Sequence, residues 1–381
     1  MRHVTDDERR ARLGVRHGLA PGSRLGSPEE VTQALGVLHA TEPATVYLSC
    51  WARTDSVDVD RAGHVHVDRA LYVDRTLVKQ LAMRRTLFVF PRTLLPAVWP
   101  SASARVADAE RARMTKDVIN ASLPADWLDS ARTEILAALA DGGLTALEVR
   151  AAVPMVNVKI ESPATAWSAP RVLTHLGATG DILRGANTGR WNSSRPRWTL
   201  TSQWLGEAPP WMTAAEGYRE LVRVWLRAFG PGTEADIVWW LGSTKSVVRT
   251  ALAELEAVAV SLDDGQVGWL LPDDAGVVDP GPWVALLPVL DPTVMGWQGR
   301  DFYLGRHRDQ LFDTRGNAGT TAWVDGRIVG CWVQDTAGVV EIRLLEKVST
   351  AARRALEDQA ARLTTWLGGR LETGYISPAA R

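Results

Sequence analysis

The stretch from residue 213 to residue 271 constrains the fold most strongly, because it places helix and turn signals in a specific order. Thr213 and Glu216 form a capping box before a helix with one apolar face, and Gly230-Pro231 ends that helix. Two shorter helical segments follow, and the turn Asp263-Asp264-Gly265 then joins two alternating segments into a hairpin. Helices followed by a two-stranded wing predict a winged-helix unit.

Similar orders of helix and strand signals occur twice before this stretch, and a different pattern follows it. After residue 272, alternating apolar segments around Asp325-Gly326 indicate a β-rich region, which an amphipathic helix over residues 349–367 closes. The sequence therefore predicts an α+β, mainly helical fold with tandem winged-helix units and a C-terminal β-rich domain. The predicted units cover residues 1–103, 104–208, 209–272 and 273–381.

The first unit carries the least regular signals. The box Ser27-Pro28-Glu29-Glu30 opens a helix that is predicted to end near His39 to Thr41. Val57 to Val67 alternates and predicts a small hairpin, residues 74–83 predict a helix, and Leu87–Phe90 predicts a strand. A winged-helix unit is built from helices and short strands, so these signals also predict such a unit.

The composition excludes several functional classes. The chain has 381 residues, 46% of them hydrophobic and 23% charged, and its net charge is −1, so any nucleic-acid site must be local. The two cysteines, Cys50 and Cys331, cannot form a disulfide framework, which suits the cytoplasm. No apolar run is long enough to span a bilayer, and the charged N-terminus lacks a signal-peptide core. The absence of phosphate-loop, dinucleotide and cysteine–histidine motifs predicts neither cofactor nor metal.

The segment His39-Ala40-Thr41-Glu42-Pro43 lies where one predicted helix ends and another begins. Pro43 disfavours helical dihedral angles at Glu42, so the chain turns or extends here. Residues two apart share a face in an extended segment, which allows His39 and Thr41 to converge on one point. Two interpretations are open: a pair of catalytic side chains, or a helix cap at Thr41 beside a packed His39.

Two local clusters of arginines are candidates for binding phosphate. The first lies in a predicted wing over residues 182–200, which contains two tryptophans and no acidic residue, and the second lies in a loop of the last unit. The arginines are Arg184, Arg190, Arg195 and Arg197 in the wing, and Arg300, Arg306, Arg308 and Arg315 in the loop. A solvated loop is the competing interpretation.

Three features of the chain are found together in one protein family. The first is Leu38-His39-Ala40-Thr41-Glu42-Pro43 followed by Trp51-Ala52-Arg53, and the second is the tandem winged-helix pattern. The third is the run Leu286–Trp297, followed by Arg300-Asp301-Phe302-Tyr303-Leu304-Gly305 and Gly316-Asn317-Ala318-Gly319. Together they resemble the winged-helix DNA glycosylases of the AlkZ and YcaQ type, over nearly the whole chain, with greater likeness to the AlkZ-like branch.

The resemblance implies a C-shaped protein whose concave face holds duplex DNA. Such enzymes remove N-alkylated purines, including bulky adducts and interstrand crosslinks left by natural products, and in several producers they confer self-resistance. The family motif is glutamine, an apolar residue, then glutamine or aspartate, and His39, Ala40 and Thr41 stand at these positions here. We therefore expect a monofunctional, monomeric DNA glycosylase with a variant motif.

Cleavage at an N7-alkylated guanine requires a placed water and relief of positive charge on the sugar, not a strong general acid. His39, with an ordinary pKa near neutrality, is expected to accept a proton from that water, and Thr41 is expected to hold it. Glu42 offers negative charge to the sugar cation, or it caps the next helix. Arg53 is expected to contact a phosphate, with an ion pair to Asp55 as the alternative.

The hairpin of the last unit offers one more DNA contact. Arg327, near its tip, is the candidate, whereas Trp323 and Trp332 are expected inside the sheet. Two other functions are open: a non-catalytic DNA-binding protein such as a regulator, and a protein that stacks planar drugs on its tryptophans. A regulator needs a basic recognition helix, but the third helix of the 209–272 unit carries only Lys245 and Arg249 as cations.

Overall fold

The computed structural model describes residues 1–54, 59–162, 164–206, 210–371 and 375–381, with the backbone alone for residues 59–63 and 161–167. Helices α1 to α17 cover, in chain order, Asp6–Arg16, Pro28–Ala34, Pro43–Trp51, Val59–Asp68, Leu95–Val98, Ala104–Asn120, Trp127–Ala138, Ala146–Ala152, Ser168–Thr179, Thr201–Leu205, Ala214–Phe229, Glu234–Leu241, Lys245–Glu254, Pro292–Met295, Asp301–Leu304, Arg308–Leu311 and Thr350–Leu367. Strands β1 to β15 cover His3–Val4, Leu38–His39, Leu77–Ala82, Thr86–Pro91, Lys159–Ser162, Ala164–Trp167, Ile182–Asn187, Pro196–Leu200, Gly232–Thr233, Val258–Leu262, Val267–Leu270, Val284–Leu287, Thr321–Val324, Arg327–Gln334 and Val340–Leu344.

The strands pair mostly with neighbours in the chain. A small antiparallel sheet near the N-terminus has the order β2-β4-β3, and the β-rich C-terminal region is an antiparallel sheet with the order β12-β13-β14-β15. The pair β10-β11 is flanked by β1 and β9, so the N-terminal strand joins the sheet of the third predicted unit. The α+β, mainly helical class with a C-terminal β-rich region is therefore confirmed.

Capping residues explain where several helices begin, as the sequence predicts. The hydroxyls of Ser27, Thr145 and Thr213 each accept a hydrogen bond from the backbone N–H three residues later, at the starts of α2, α8 and α11. The box at Thr145 and the box at Thr213 are complete, whereas the carboxylate of Glu30 accepts from the N–H of Gly26. These local signals act within one turn and do not depend on tertiary contacts.

Three predictions for the first unit are wrong. The helix that starts at Pro28 ends at Ala34, because Gly36 turns the chain with a φ of +72° into β2. The hairpin predicted from Val57 to Val67 is the helix α4 in its described part, where Val65 is 57% exposed and Val67 is 1% exposed; Val57 lies outside the described residues. The helix predicted over 74–83 is the strand β3, because pairing with β4 outweighs its helical pattern.

Two large hydrophobic cores contain most of the buried apolar residues that the structure describes. One is formed by helices, strands and loops between residues 114 and 200 and includes Ile135 and Leu173. The larger core joins α3, α11 and the C-terminal sheet, so the first, third and last predicted units pack on one another. Trp191, between β7 and β8, lies 5.5 Å from Tyr47 in ring centroids and 5.3 Å from Trp366, which docks the predicted wing against this larger body.

Among the described residues, no helix combines the length and the apolar character needed to cross a membrane.

Candidate functional site

The segment from Leu38 to Pro43 connects a short strand to a helix in an extended conformation. Leu38 and His39 pair with Val89 and Phe88 of β4, and the N–H of Ala40 donates to the carbonyl of Leu87 at 2.9 Å. Helix α3 then begins at Pro43, with Glu42 as an extended N-cap residue. The predicted break before Pro43 is confirmed. It places His39, Thr41 and Glu42 in one short connector between β2 and α3.

His39 is packed rather than exposed. The residue is 7% exposed, and its ring packs edge-to-face with the Phe88 ring, with 5.4 Å between the ring centroids. Burial, and then the positive charge of Arg84, lower the pKa of His39 to about 3. The expectation of a pKa near neutrality is wrong for this reason, and the imidazole is neutral at physiological pH.

A hydrogen bond assigns the positions of the imidazole proton. The backbone N–H of Thr41 donates to Nδ1 of His39 at 3.4 Å, so the neutral ring carries its proton on Nε2. The Thr41 residue itself is exposed. The N-cap of α3 is Glu42 and not Thr41, so the alternative that Thr41 caps this helix is wrong.

Glu42 borders the largest described cavity near this segment. The carboxylate makes no side-chain capping bond to α3, so the capping alternative for Glu42 is also wrong. The cavity has a volume of about 540 Å³ and is lined by Glu42, Leu48, Trp332 and Tyr375, among others. Glu42 is therefore a nearly buried residue, 9% exposed, that lines a cavity open to solvent.

Two arginines, Arg84 and Arg300, lie against Trp239. The guanidinium carbon of Arg84 is 3.8 Å from the centre of the Trp239 ring, and that of Arg300 is 5.0 Å away. Arg300 is also 4.9 Å from the Phe312 ring and is 3% exposed. Burial, and then Arg300, lower the pKa of Arg84 to about 10. The charge of Arg84 therefore acts on His39, and that of Arg300 acts on Arg84.

Arg53 does not face a DNA cleft. It is fully buried, with its Nη1 and Nη2 donating to the two carboxylate oxygens of Asp291 at 2.9 and 2.7 Å. It also donates to the Ser49 carbonyl and the Thr293 hydroxyl. A phosphate contact by Arg53 is therefore wrong, because the guanidinium has no access to solvent. The alternative partner, Asp55, lies outside the described residues.

The other predicted DNA-binding arginines fall into two groups. Arg190, Arg195, Arg306 and Arg308 are exposed. The remaining ones have partners: Arg184 stacks on Trp198 at 4.8 Å, Arg197 pairs with Glu148 at 3.2 Å, and Arg327 pairs with Glu346 at 3.4 Å. Burial lowers the pKa of Arg184 to about 10. Trp323 and Trp332 are buried in the C-terminal sheet, as predicted.

Sequence reasoning missed Arg84 and Trp239. The signal was the pair Arg84-Arg85, which lies in the turn between β3 and β4. The prediction of a helix over 74–83 leaves no turn at Arg84-Arg85, whereas a strand at Leu77–Ala82 followed by β4 requires a turn there. Nothing in the sequence near Trp239 distinguishes it from the other tryptophans.

The overall fold has a counterpart among solved structures. The structure is similar to that of the Streptomyces sahachiroi DNA glycosylase AlkZ, with a TM-score of 0.76 and 19% sequence identity, over 97% of this chain and 98% of that chain. At this identity the likeness shows a shared fold. No curated protein matches the sequence.

The family follows from the sequence itself. Residues 32–366 match the family described as DNA glycosylase AlkZ-like. The chain therefore belongs to the AlkZ-like DNA glycosylase family, whose members are DNA repair proteins.

Proposed function

We propose that this chain hydrolyses the N-glycosidic bond of N7-alkylated purines in duplex DNA. The observation that carries the proposal is the connector His39–Glu42, which places a neutral imidazole, an exposed residue with a hydroxyl and a carboxylate that lines a cavity within four consecutive residues. Family membership supplies the reaction class. We further propose that the chain acts as a monomer in the cytoplasm, consistent with two buried, free cysteines.

The reaction needs little acid catalysis. Alkylation at N7 makes the base a cationic leaving group, so the C1′–N9 bond breaks with its electron pair moving onto the base. An oxocarbenium-like sugar then adds water at C1′, and the water loses a proton. We propose that His39 Nε2–H and the Thr41 hydroxyl hold this water, and that the Glu42 carboxylate stabilises the sugar cation and takes the proton.

Monofunctional chemistry is supported by the position of Lys79 in the sheet β2-β4-β3, which also contains His39. A bifunctional glycosylase needs an amine at the sugar, and Lys79 is the lysine of β3. Lys79 is paired with Val89, which is paired with Leu38, whereas His39 shares Phe88 with Gln80. Directly paired residues share a face of a sheet, so Lys79 and His39 lie on opposite faces. Water is then the proposed nucleophile.

The cavity beside Glu42 supports substrates bulkier than a methyl adduct. Its volume of about 540 Å³ is of the size that holds drug-like ligands, and Leu48, Val289 and Trp332 give it apolar walls. We therefore propose bulky adducts, and crosslinks of the kind left by natural products, as the preferred lesions.

Single-turnover release of base from a duplex with one N7-methylguanine tests the proposal. We expect wild type to release the base and Glu42→Gln, Thr41→Ala and His39→Ala to do so at least roughly a hundredfold more slowly, a loss of about 2.7 kcal/mol of transition-state stabilisation. Glu134→Gln is the matched control, because Glu134 is exposed on α7. Strand cleavage should not accompany base release.

The same assay separates the proposal from DNA binding alone. A duplex with a bulky N7 adduct is tested in parallel, and we expect faster release than from the methyl adduct. DNA binding without release from either substrate would contradict the proposed reaction and identify the chain as a non-catalytic binding protein.

A further inference from the structure

Two arginines next to the connector lack the partner that buried cations normally have. In the part of the chain that the structure describes, Nε of Arg84 and both Nε and Nη2 of Arg300 have no hydrogen-bond partner. Neither guanidinium forms an ion pair with a described carboxylate. Unpaired buried charge is unfavourable unless an opposite charge arrives.

The carboxylate of Asp236 already accepts hydrogen bonds from other donors. Asp236 contributes to the charge environment of Arg300, but one carboxylate oxygen accepts from Thr233 N and Oγ1 at 2.9 and 2.8 Å. The other oxygen accepts from the N–H groups of Gln298 and Gly299 at 2.9 and 2.8 Å. These four bonds occupy both oxygens of Asp236, so it acts on Arg300 through its charge and accepts no hydrogen bond from either guanidinium.

The backbone at Arg84 adds an independent observation. Arg84 has a φ of 54° and Arg85 has a φ of 59°, a left-handed region that residues with a Cβ rarely adopt. Arg84 is thereby directed towards Trp239, whereas Arg85 is directed towards Glu110, with an ion pair of 2.7 Å. Strained conformations of this kind tend to occur at functional sites.

We infer that Arg84 and Arg300 form a phosphate-binding pair, which holds one phosphodiester of the DNA strand beside His39, Thr41 and Glu42. The inference rests on the proposed function in that the anion belongs to DNA. Arg84 is half-buried and makes the direct contact, while Arg300 is a fixed charge held by Trp239 and Phe312. Guanidinium groups suit this role, because their planar N–H donors match phosphate oxygens.

The salt dependence of DNA binding tests the pair. Affinity for an undamaged duplex and for a duplex with an abasic-site analogue is measured by fluorescence anisotropy between about 50 and 200 mM salt. We expect Arg84→Gln to reduce the slope of log K against log salt by about 0.9, the value for one phosphate contact. Arg85→Gln, the neighbouring change with the same loss of charge, should keep the wild-type slope. Arg300→Gln should weaken binding, and because Arg300 is buried, its folding is checked by circular dichroism.

Replacing single phosphates by neutral methylphosphonates locates the contact. At one position in the duplex, the methylphosphonate substitution should weaken DNA binding by wild type and by Arg85→Gln. The same substitution should not weaken binding by Arg84→Gln. If Arg84→Gln keeps the full slope, or if its loss is unrelated to any single phosphate, the inference is wrong. Inorganic phosphate that competes equally well with wild type and Arg84→Gln would also contradict it.

These binding assays do not depend on base release, so the two proposals fail separately. A chain that binds DNA through Arg84 but releases no base supports the pair and contradicts the proposed reaction. A chain that releases base with an unchanged slope in Arg84→Gln supports the reaction and contradicts the pair. Absence of DNA binding by wild type overturns both.

Discussion

At the scale of single residues, the environment of His39 decides which role it can have. A general base at Nε2 needs a free lone pair there, which requires the tautomer with the proton on Nδ1. That proton would face the N–H of Thr41, which now donates to Nδ1 at 3.4 Å. The lowered pKa of about 3, caused by burial and then by Arg84, also makes the ring a weak base. His39 is therefore better suited to donating a hydrogen bond to water than to removing a proton.

Replacement of His39 by glutamine distinguishes these two roles. A glutamine amide can donate a hydrogen bond but cannot act as a base, so His39→Gln should release base within roughly tenfold of wild type, against a roughly hundredfold loss in His39→Ala. The wild-type rate should also be flat between about pH 6 and 8, because the folded pKa of about 3 leaves His39 neutral across this range. Single-turnover rates across pH make the measurement.

The opposite result has a clear signature. If His39→Gln is as slow as His39→Ala, and the wild-type rate falls with an apparent pKa near 6.5 as pH decreases, His39 is the base. The change of folding stability with pH gives a second check of the lowered pKa of His39. Since the folded pKa lies below the unfolded value of about 6.5, wild type should lose stability as pH falls through about 6.5 towards 3, and His39→Gln should lose less.

At the scale of helices and strands, local signals were predictable and pairing was not. The caps at Ser27 and Thr213 act within four residues, and both helix starts were predicted from the sequence. The strand β3 and the helix α4 were misassigned, because their type depends on pairing with β4 and on packing against α3, which the residue pattern within one segment does not contain. The site was predictable as far as the connector His39–Glu42 for the same reason. Arg84 and Trp239 meet only in the folded chain.

The turn at Gly36 is the element that orients the connector. Its φ of +72° favours glycine, and a Cβ there would lie 2.6 Å from Cγ1 of Val224 in α11. Gly36→Ala should therefore lower the free energy of unfolding by at least about 2 kcal/mol, from strain and overpacking together. It should also slow base release, because His39 follows three residues later. Urea denaturation and single-turnover rates measure the two effects.

Two further variants separate strain from overpacking. Gly265→Ala places a Cβ at a similar φ of +77° with no atom within 4 Å, so it should cost only about 1 kcal/mol. Val224→Ala should recover part of the loss in Gly36→Ala, because it removes the overlapping methyl. If Gly36→Ala costs no more than Gly265→Ala, the packing against α11 does not constrain the connector.

At the scale of the whole molecule, the run Leu286–Trp297 is the point where the N-terminal and C-terminal parts meet. The carbonyl of Val289 accepts from the Thr45 hydroxyl at 2.8 Å, and the carbonyl of Gly296 accepts from Trp225 Nε1 at 3.0 Å. Asp291 accepts from Ser49 at 2.7 Å and pairs with Arg53. The run therefore makes tertiary contacts that hold helix α3, and with it the connector, against the β-rich region.

The ion pair between Arg53 and Asp291 should be the strongest single link in this junction. Burial raises the pKa of Asp291, but the charge and hydrogen bonds of Arg53 outweigh that effect, and the pKa lies below its usual value. Arg53→Gln leaves the carboxylate buried and unpaired, which should lower the free energy of unfolding by about 3–5 kcal/mol. Arg353→Gln, which breaks the exposed pair with Glu357 at 3.0 Å, should cost no more than about 0.5 kcal/mol. Below the melting temperature of Arg53→Gln, the slope of log K for DNA binding against log salt should match that of wild type, because a fully buried guanidinium releases no counterion. A slope reduced by about 0.9 would instead identify Arg53 as a phosphate contact that becomes exposed on binding.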